Sequence, residues 1–142
     1  MKPGEAITTA PIFQRLSRVS LKSVAKAAKV QRFAPEAILV TEGEDANAFF
    51  VIVRGKAEVV KGLGREDAIV LGTLGELDFF GEMALLDGFP RSASVKAVTN
   101  CECLVLVRSD FLGIIRRNPQ VVLDILPVLS QRLGALEDRL LR

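Results

Sequence analysis

The hydrophobic period of this 142-residue chain changes twice, and those changes restrict its fold more than any other feature. Residues 12–30 repeat at helical spacing, with Phe13, Leu16, Leu21, Val24 and Ala28 apolar among basic positions. Ser20 is placed to cap a second short helix inside that stretch. From about residue 36 to 107 the pattern breaks into short runs rich in Val, Ile and Phe. The clearest are Ile38–Val40, Phe49–Arg54, Lys56–Lys61, Ala68–Leu71, Ser94–Val98 and Cys103–Val107. Gly43, Gly55, Gly62, Gly64, Gly72 and Gly75 fall at or between these runs, where turns and bulges need them. Many short strands with glycine turns argue for a mainly β fold with flanking helices, and a jelly-roll barrel (a double-stranded β-helix) matches the length.

The end of the chain reads as two helices. Ser109 is placed to cap Asp110–Arg117, and Asn118-Pro119 reads as a cap followed by proline at the first helical position. In the last helix Val122, Leu126, Leu129, Leu133, Leu136 and Leu140 alternate in steps of four and three. This heptad seam suits packing on the barrel or on its own copy in a homodimer. Pro127 lies inside the helix and is expected to kink it, because it lacks an N–H and crowds the preceding turn. The expected plan is one domain over 1–142, with N-terminal helices at 10–35, the barrel at 36–108 and C-terminal helices at 109–142.

The chain contains no His, Trp or Tyr and only two Cys. The missing histidines remove His-based triads, His-centred metal sites and the usual general acid or base near neutrality. Two cysteines cannot close a zinc site. No enzyme, metal or cofactor is therefore expected. No run approaches the roughly 18 apolar residues of a membrane span, and the N-terminus lacks a signal-peptide core. The two thiols fit a reducing cytoplasm, and a piece excised from a larger protein would read the same way.

The net charge of +2 hides a gradient. Residues 1–35 carry +6, residues 36–107 carry −6 and residues 108–142 carry +2. Arg15, Arg18, Lys22, Lys26 and Lys29 recur at spacings of three and four, as along one helical face. Such a face is either simply solvated or a patch for an acidic partner, membrane surface or nucleic acid. No aromatic residue interleaves and no second basic helix is present to fill a groove, so DNA binding by this chain alone is not expected.

Residues 80–95, Phe-Gly-Glu-Met-Ala-Leu-Leu-Asp-Gly-Phe-Pro-Arg-Ser-Ala-Ser-Val, carry the chemistry. Gly81 permits a tight turn, and Glu82–Leu86 can form one helical turn whose first N–H groups favour an anion. Arg91 can return a planar guanidinium to the same anion through two parallel hydrogen bonds. Glu82 adds an acceptor suited to ribose hydroxyls. Anion donors, one Arg and a hydroxyl-binding Glu in an apolar barrel ask for a sugar phosphate of low charge.

This segment closely resembles the phosphate-binding cassette of cyclic nucleotide-binding domains, the superfamily of catabolite-activator regulators, protein kinase A regulatory subunits and cyclic-nucleotide-gated channels. Glu42-Gly43-Glu44 and Phe49–Gly55 resemble the family's second and third strands with their turn glycine. Leu74–Phe80 resembles the approach to the cassette, with Leu77 standing where the family has Gly. Asp110–Arg142 resembles its two C-terminal helices, so the likeness covers about residues 10–140.

The resemblance implies a ligand, cAMP ahead of cGMP, bound by a cassette that Phe80 and Gly81 open. Glu82 would hold the ribose 2′-hydroxyl. Arg91 would neutralise the cyclic phosphate, with backbone N–H groups of Met83, Ala84 and Ala93. Ser92 would place a hydroxyl on the phosphate or on a guanine amino group. Val59 and Leu71 would line the sugar and base, and Arg132 would contact the base as part of a lid. The implied function is a regulatory sensor that turns binding into movement of its C-terminal helices, its downstream effector unspecified. A ligand-free relative serving as an interaction module, or the sensory half of a transcription regulator or channel, is the alternative. Gly62-x-Gly64 lacks a third Gly and a following helix, so it reads as a hairpin turn rather than a dinucleotide fingerprint. Cys101-x-Cys103 reads as packing, and a metal enzyme on the same fold would lack grouped ligands.

Overall fold

The computed structural model describes residues 2–82 and 90–141, with side chains of the last helix described as far as Gln131. Chain order is α1 (Pro3–Thr9), a 3₁₀ turn (Pro11–Phe13), α2 (Arg18–Ala27) and β1 (Lys29–Phe33). Seven more strands follow: β2 (Ile38–Val40), β3 (Ala48–Arg54), β4 (Ala57–Lys61), β5 (Ile69–Leu74), β6 (Phe79–Phe80), β7 (Ser94–Ala97) and β8 (Cys101–Val107). The chain closes with α3 (Arg108–Arg117) and α4 (Gln120–Leu141). The strands form two antiparallel sheets ordered β1-β8-β3-β6 and β2-β7-β4-β5. The jelly-roll expectation therefore holds in class, with two sheets that are not closed into a barrel.

β3 shows why the layers stack as they do. Its run Ala-Phe-Phe-Val-Ile-Val is apolar at consecutive positions, which requires cover on both faces. Phe49, Val51 and Val53 lie in a core shared with helical residues Ile12, Phe13, Val24, Phe111 and Ile114. Ala48, Phe50 and Ile52 point the other way, into a second core between the sheets with Val95, Ala97 and Cys103. One strand thus joins the helical layer to the sandwich interior.

The helical borders depart from the sequence reading. Lys29–Phe33, expected inside the N-terminal helices, is a strand paired with β8. It thereby removes Lys29 from the helical stripe of cations. The cap of α2 is Ser17, whose hydroxyl accepts from the Ser20 N–H at 3.1 Å, so Ser20 lies inside the helix. α3 begins behind an extended Val107 with no side-chain cap, which puts Ser109 within its first turn. Asn118 donates from Nδ2 to Ser20 Oγ at 2.6 Å, tying α2 to the α3–α4 junction. On α4 the residues that meet the body are Val121 and Ile125, with Val128 and Leu129 beside them, while Leu123 and Leu126 of its outer side are exposed. The stripe that packs shares Leu129 with the expected heptad seam and is otherwise offset from it; Leu133, Leu136 and Leu140 of that seam lie outside the described side chains.

Two turns hold a side chain where glycine is usual. Glu36 has φ +73° and Leu77 φ +69°. Each is the third residue of a turn closed by a backbone bond, Ala37 N–H to Ala34 O and Asp78 N–H to Gly75 O. Left-handed backbone costs an L-residue roughly 1–2 kcal/mol, and a new glycine costs roughly 0.5–1 kcal/mol of chain entropy. Glu36 is exposed and holds only a surface ion pair to Lys96, so Glu36→Gly is expected to stabilise by about 0.5 kcal/mol. Leu77 packs on the helical core, and losing that contact outweighs the relief. Leu77→Gly is expected to destabilise by about 1 kcal/mol. Urea midpoints moving in the same direction for both variants would refute this division.

Candidate functional site

A cavity of about 390 Å³ opens at the end of the inter-sheet core, floored by Val40, Val59, Leu74, Phe80 and Val95 and walled by Gly81, Glu82 and residues 90–93. Its volume lies within the range of about 300–1,000 Å³ of small-molecule sites. The lining is apolar except at one wall, where Arg91 and Glu82 stand together.

Close backbone approach places Arg91. Gly81 follows β6 with φ +82°, and a Cβ there would fall 2.5 Å from Arg91 Nη1 and 2.8 Å from the Ala48 carbonyl oxygen. The bare backbone lets the guanidinium settle against it. Arg91 Nη2 donates to Ala48 O at 2.8 Å, and its Cζ stands 5.9 Å from the Phe50 ring centroid. That ring is stacked on Phe80 at 4.7 Å and 3°. Burial pushes the Arg91 pKa below its ordinary value, and the charge of Glu82 offsets part of that shift. The cation has therefore exchanged solvent for the Ala48 carbonyl, a ring face and the nearby charge of Glu82, and its fork is suited to a further anion.

The segment leaving the cassette is clamped through its backbone. Arg91 N–H donates to Glu44 O at 2.8 Å, and Gly43 N–H donates to Arg91 O at 2.9 Å. Ser94 Oγ accepts from the Glu42 N–H at 3.0 Å, and Lys61 Nζ donates to Ser92 O at 2.8 Å. Glu42 in turn accepts from the Gly62 N–H at 3.0 Å, the main cause holding its carboxyl below the ordinary range, with Lys61 at 3.4 Å reinforcing it. Residues 42–45 and the β4–β5 hairpin thus fix the register of Arg91.

Cys101 and Cys103 share the inner face of β8 and are buried in the sandwich core. Burial raises the Cys103 pKa to about 12, as expected of packing thiols rather than nucleophiles. Among the described residues no group of His, Cys, Asp and Glu could hold a metal ion. No described helix is long and apolar enough to cross a membrane.

Known proteins resemble this chain in both sequence and fold. The sequence profile of the cyclic nucleotide-binding domain matches residues 30–118, more than half of the chain. This chain belongs to the cyclic nucleotide-binding domain family. The cAMP-dependent protein kinase regulatory subunit of Colletotrichum orbiculare is 33% identical over 101 residues, covering 71% of this chain and 25% of that protein. A cyclic nucleotide-gated potassium channel of Rhizobium etli is 32% identical over 130 residues, covering 92% of this chain and 35% of the channel. The crystal structure of Thermus thermophilus catabolite activator protein superposes with a TM-score of 0.78 at 30% identity, over 92% of this chain and 61% of that one. The chain thus spans about a quarter to a third of the length of these two curated relatives.

Within this cyclic nucleotide-binding domain, Phe80, Gly81, Glu82, Arg91, Ser92, Ala93 and Val59 are brought together around the cavity. Leu71 is not; it is 58% exposed and does not line the cavity. The reason is alternation. Val59 pairs with Gly72, so Leu71, one residue earlier, points to the opposite face; a β-bulge between that pair and Val60–Val70 also leaves it without a partner. Leu74, paired with the buried Ala57, takes the lining position instead. Met83 and Ala84 lie outside the described residues, as does the side chain of Arg132. Val40, Ala46, Leu74, Pro90 and Val95 were missed by the sequence reading and line the cavity. Val40 and Val95 carried a signal, since both stand in strands recognised from sequence.

Proposed function

We propose that this domain is a regulatory cAMP sensor, with cGMP as the competing ligand, and acts as a binding module rather than as an enzyme. The observation that carries the reading is Arg91: a partly buried cation held over Phe50 against Gly81, beside Glu82, at the polar wall of an otherwise apolar cavity. In this reading the guanidinium and the Ala93 N–H, with the N–H groups of Met83 and Ala84, take the cyclic phosphate. Glu82 accepts from the ribose 2′-hydroxyl, and Ser92 adds a hydroxyl near the phosphate. Val59 and Leu74 contact the sugar and base, and Arg132 closes over the base. The relatives, a cAMP-dependent protein kinase regulatory subunit and a cyclic nucleotide-gated potassium channel, are named for such ligands.

The output in this reading is a population shift. Ligand orders the cassette, and α3 and α4 redistribute between two packings in proportion to the ligand's preference for one. Val121 and Ile125 share the helical core with Phe111 and Ile114, so α3 and α4 move as coupled bodies. Leu123 and Leu126 are exposed on α4 and are the described residues that a second copy would cover in a homodimer. Thermal unfolding with each nucleotide tests the proposal. A ligand at a hundred times its Kd contributes about 2.7 kcal/mol, which for a chain of this size raises the midpoint by roughly 8 °C. No shift with either nucleotide would favour a ligand-free interaction module.

A further inference from the structure

A second cavity lies far along the chain from the cassette, in the groove between α1 and α2. It measures about 350 Å³, with a floor of Ile7, Leu21 and Ala25 and a rim bearing Arg18 and Lys22. Arg18, Lys22 and Lys26 recur every fourth residue of α2, so they form one line along the helix beside that floor. All three are exposed, as is Arg15 just before the helix. Among the described residues none of these four cations has an ion-pair partner. Glu5 is the one acid on the two helices. An apolar trough beside a row of unpaired cations is complementary to a segment that carries an apolar anchor among carboxylates.

We propose that the α1–α2 groove docks an acidic amphipathic segment of another protein. One bulky apolar side chain enters between Ile7 and Leu21, and its flanking carboxylates meet Arg18, Lys22 and Lys26. The relief of the face favours a peptide over a lipid surface. Membrane insertion needs apolar groups that stand beyond the basic ones, and here the apolar floor is recessed beneath them, with Val19, 70% exposed, as the single projecting aliphatic of α2. The groove shares no lining residue with the nucleotide cavity, so the proposal stands whether or not a nucleotide binds.

Selection of a phage-displayed library of random peptides of about 16 residues against the full chain, without nucleotide, tests this. The selected peptides are expected to carry a bulky apolar residue flanked by Asp or Glu and to compete with one another. Their affinity is expected to fall about tenfold or more between roughly 50 and roughly 200 mM salt. The same loss is expected in the double variant Arg18→Glu/Lys22→Glu, and in Ala25→Phe, which fills the trough; all three positions are exposed. Selection that returns no binders, binders without acidic enrichment, or binders indifferent to both variants overturns the proposal. So does charge-reversal-sensitive sedimentation with vesicles of three parts phosphatidylcholine to one part phosphatidylserine when no peptide competes. Concentration-dependent self-association abolished by the same two variants would assign the groove to a second copy instead.

Discussion

Arg91→Ala is expected to weaken cAMP binding by about a hundredfold or more while hardly moving the unfolding midpoint. The two effects separate because what Arg91 contributes to the ligand-free fold is offset by its desolvation. Its guanidinium has been drawn out of water far enough to lower its pKa, and among the described residues it gains a bond to Ala48 O, the Phe50 ring face and the nearby charge of Glu82. Removing it leaves the buried Ala48 carbonyl without that donor, at a cost of about 1 kcal/mol, and ends the desolvation of a cation, which offsets it. For the ligand the balance is different. A cyclic phosphate brought to this wall without its countercharge is a desolvated anion lacking a partner, a loss on the order of 3–5 kcal/mol. Arg91→Lys keeps the charge without the paired N–H fork, and is expected to lose about tenfold. Isothermal calorimetry with unaltered affinity in Arg91→Ala would take the phosphate away from this cavity.

How far this site was legible in the sequence depends on what each residue must do. That Arg91, Glu82 and Gly81 stand at one wall was legible because the roles proposed for them need particular chemistry at close spacing along one segment. The apolar lining was less so, because it is assembled by strand pairing. Val59 and Leu71 are both aliphatic on neighbouring strands, and alternation alone sends either inward. The register that pairs Val59 with Gly72 and Ala57 with Leu74 puts Leu74 inward and Leu71 outward, and a one-residue difference in register leaves no mark in the sequence of either strand. β3 was recognised because an unbroken apolar run has few alternatives to a strand covered on both faces. β1 was hidden for the opposite reason. Lys-Val-Gln-Arg-Phe is mostly exposed, and its lysine continues the helical spacing of Arg18, Lys22 and Lys26. What makes it a strand is a partner seventy residues away, where Arg32 meets the buried Glu102 at 2.9 Å. The caps failed similarly: Ser17, Ser20 and Ser109 all carry a capping hydroxyl, yet Ser17 caps α2 while α3 starts behind Val107 without a side-chain cap.

The close approach at Gly81 leads to the other large effect. Gly81→Ala is expected to destabilise the domain by about 2–3 kcal/mol and to weaken cAMP binding tenfold or more, although every charged group is retained. The residue holds φ +82°, which costs an alanine roughly 1–2 kcal/mol. The added Cβ would lie 2.8 Å from the Ala48 carbonyl oxygen, backbone of a buried strand that cannot simply swing aside. It would lie 2.5 Å from Arg91 Nη1, and here the flexible side chain yields. Displacing that guanidinium breaks its bond to Ala48 O and takes the fork away from where the phosphate is proposed to sit. The variant thus couples a stability loss to a binding loss through position alone. Gly113→Ala provides the contrast. It lies within α3, its Cβ would meet nothing within 4 Å, and the substitution is expected to stabilise by about 0.5–1 kcal/mol with binding unchanged. Wild-type affinity in Gly81→Ala would show that the ligand does not depend on where the Gly81 backbone holds Arg91, and the cassette's glycine would then serve the turn alone.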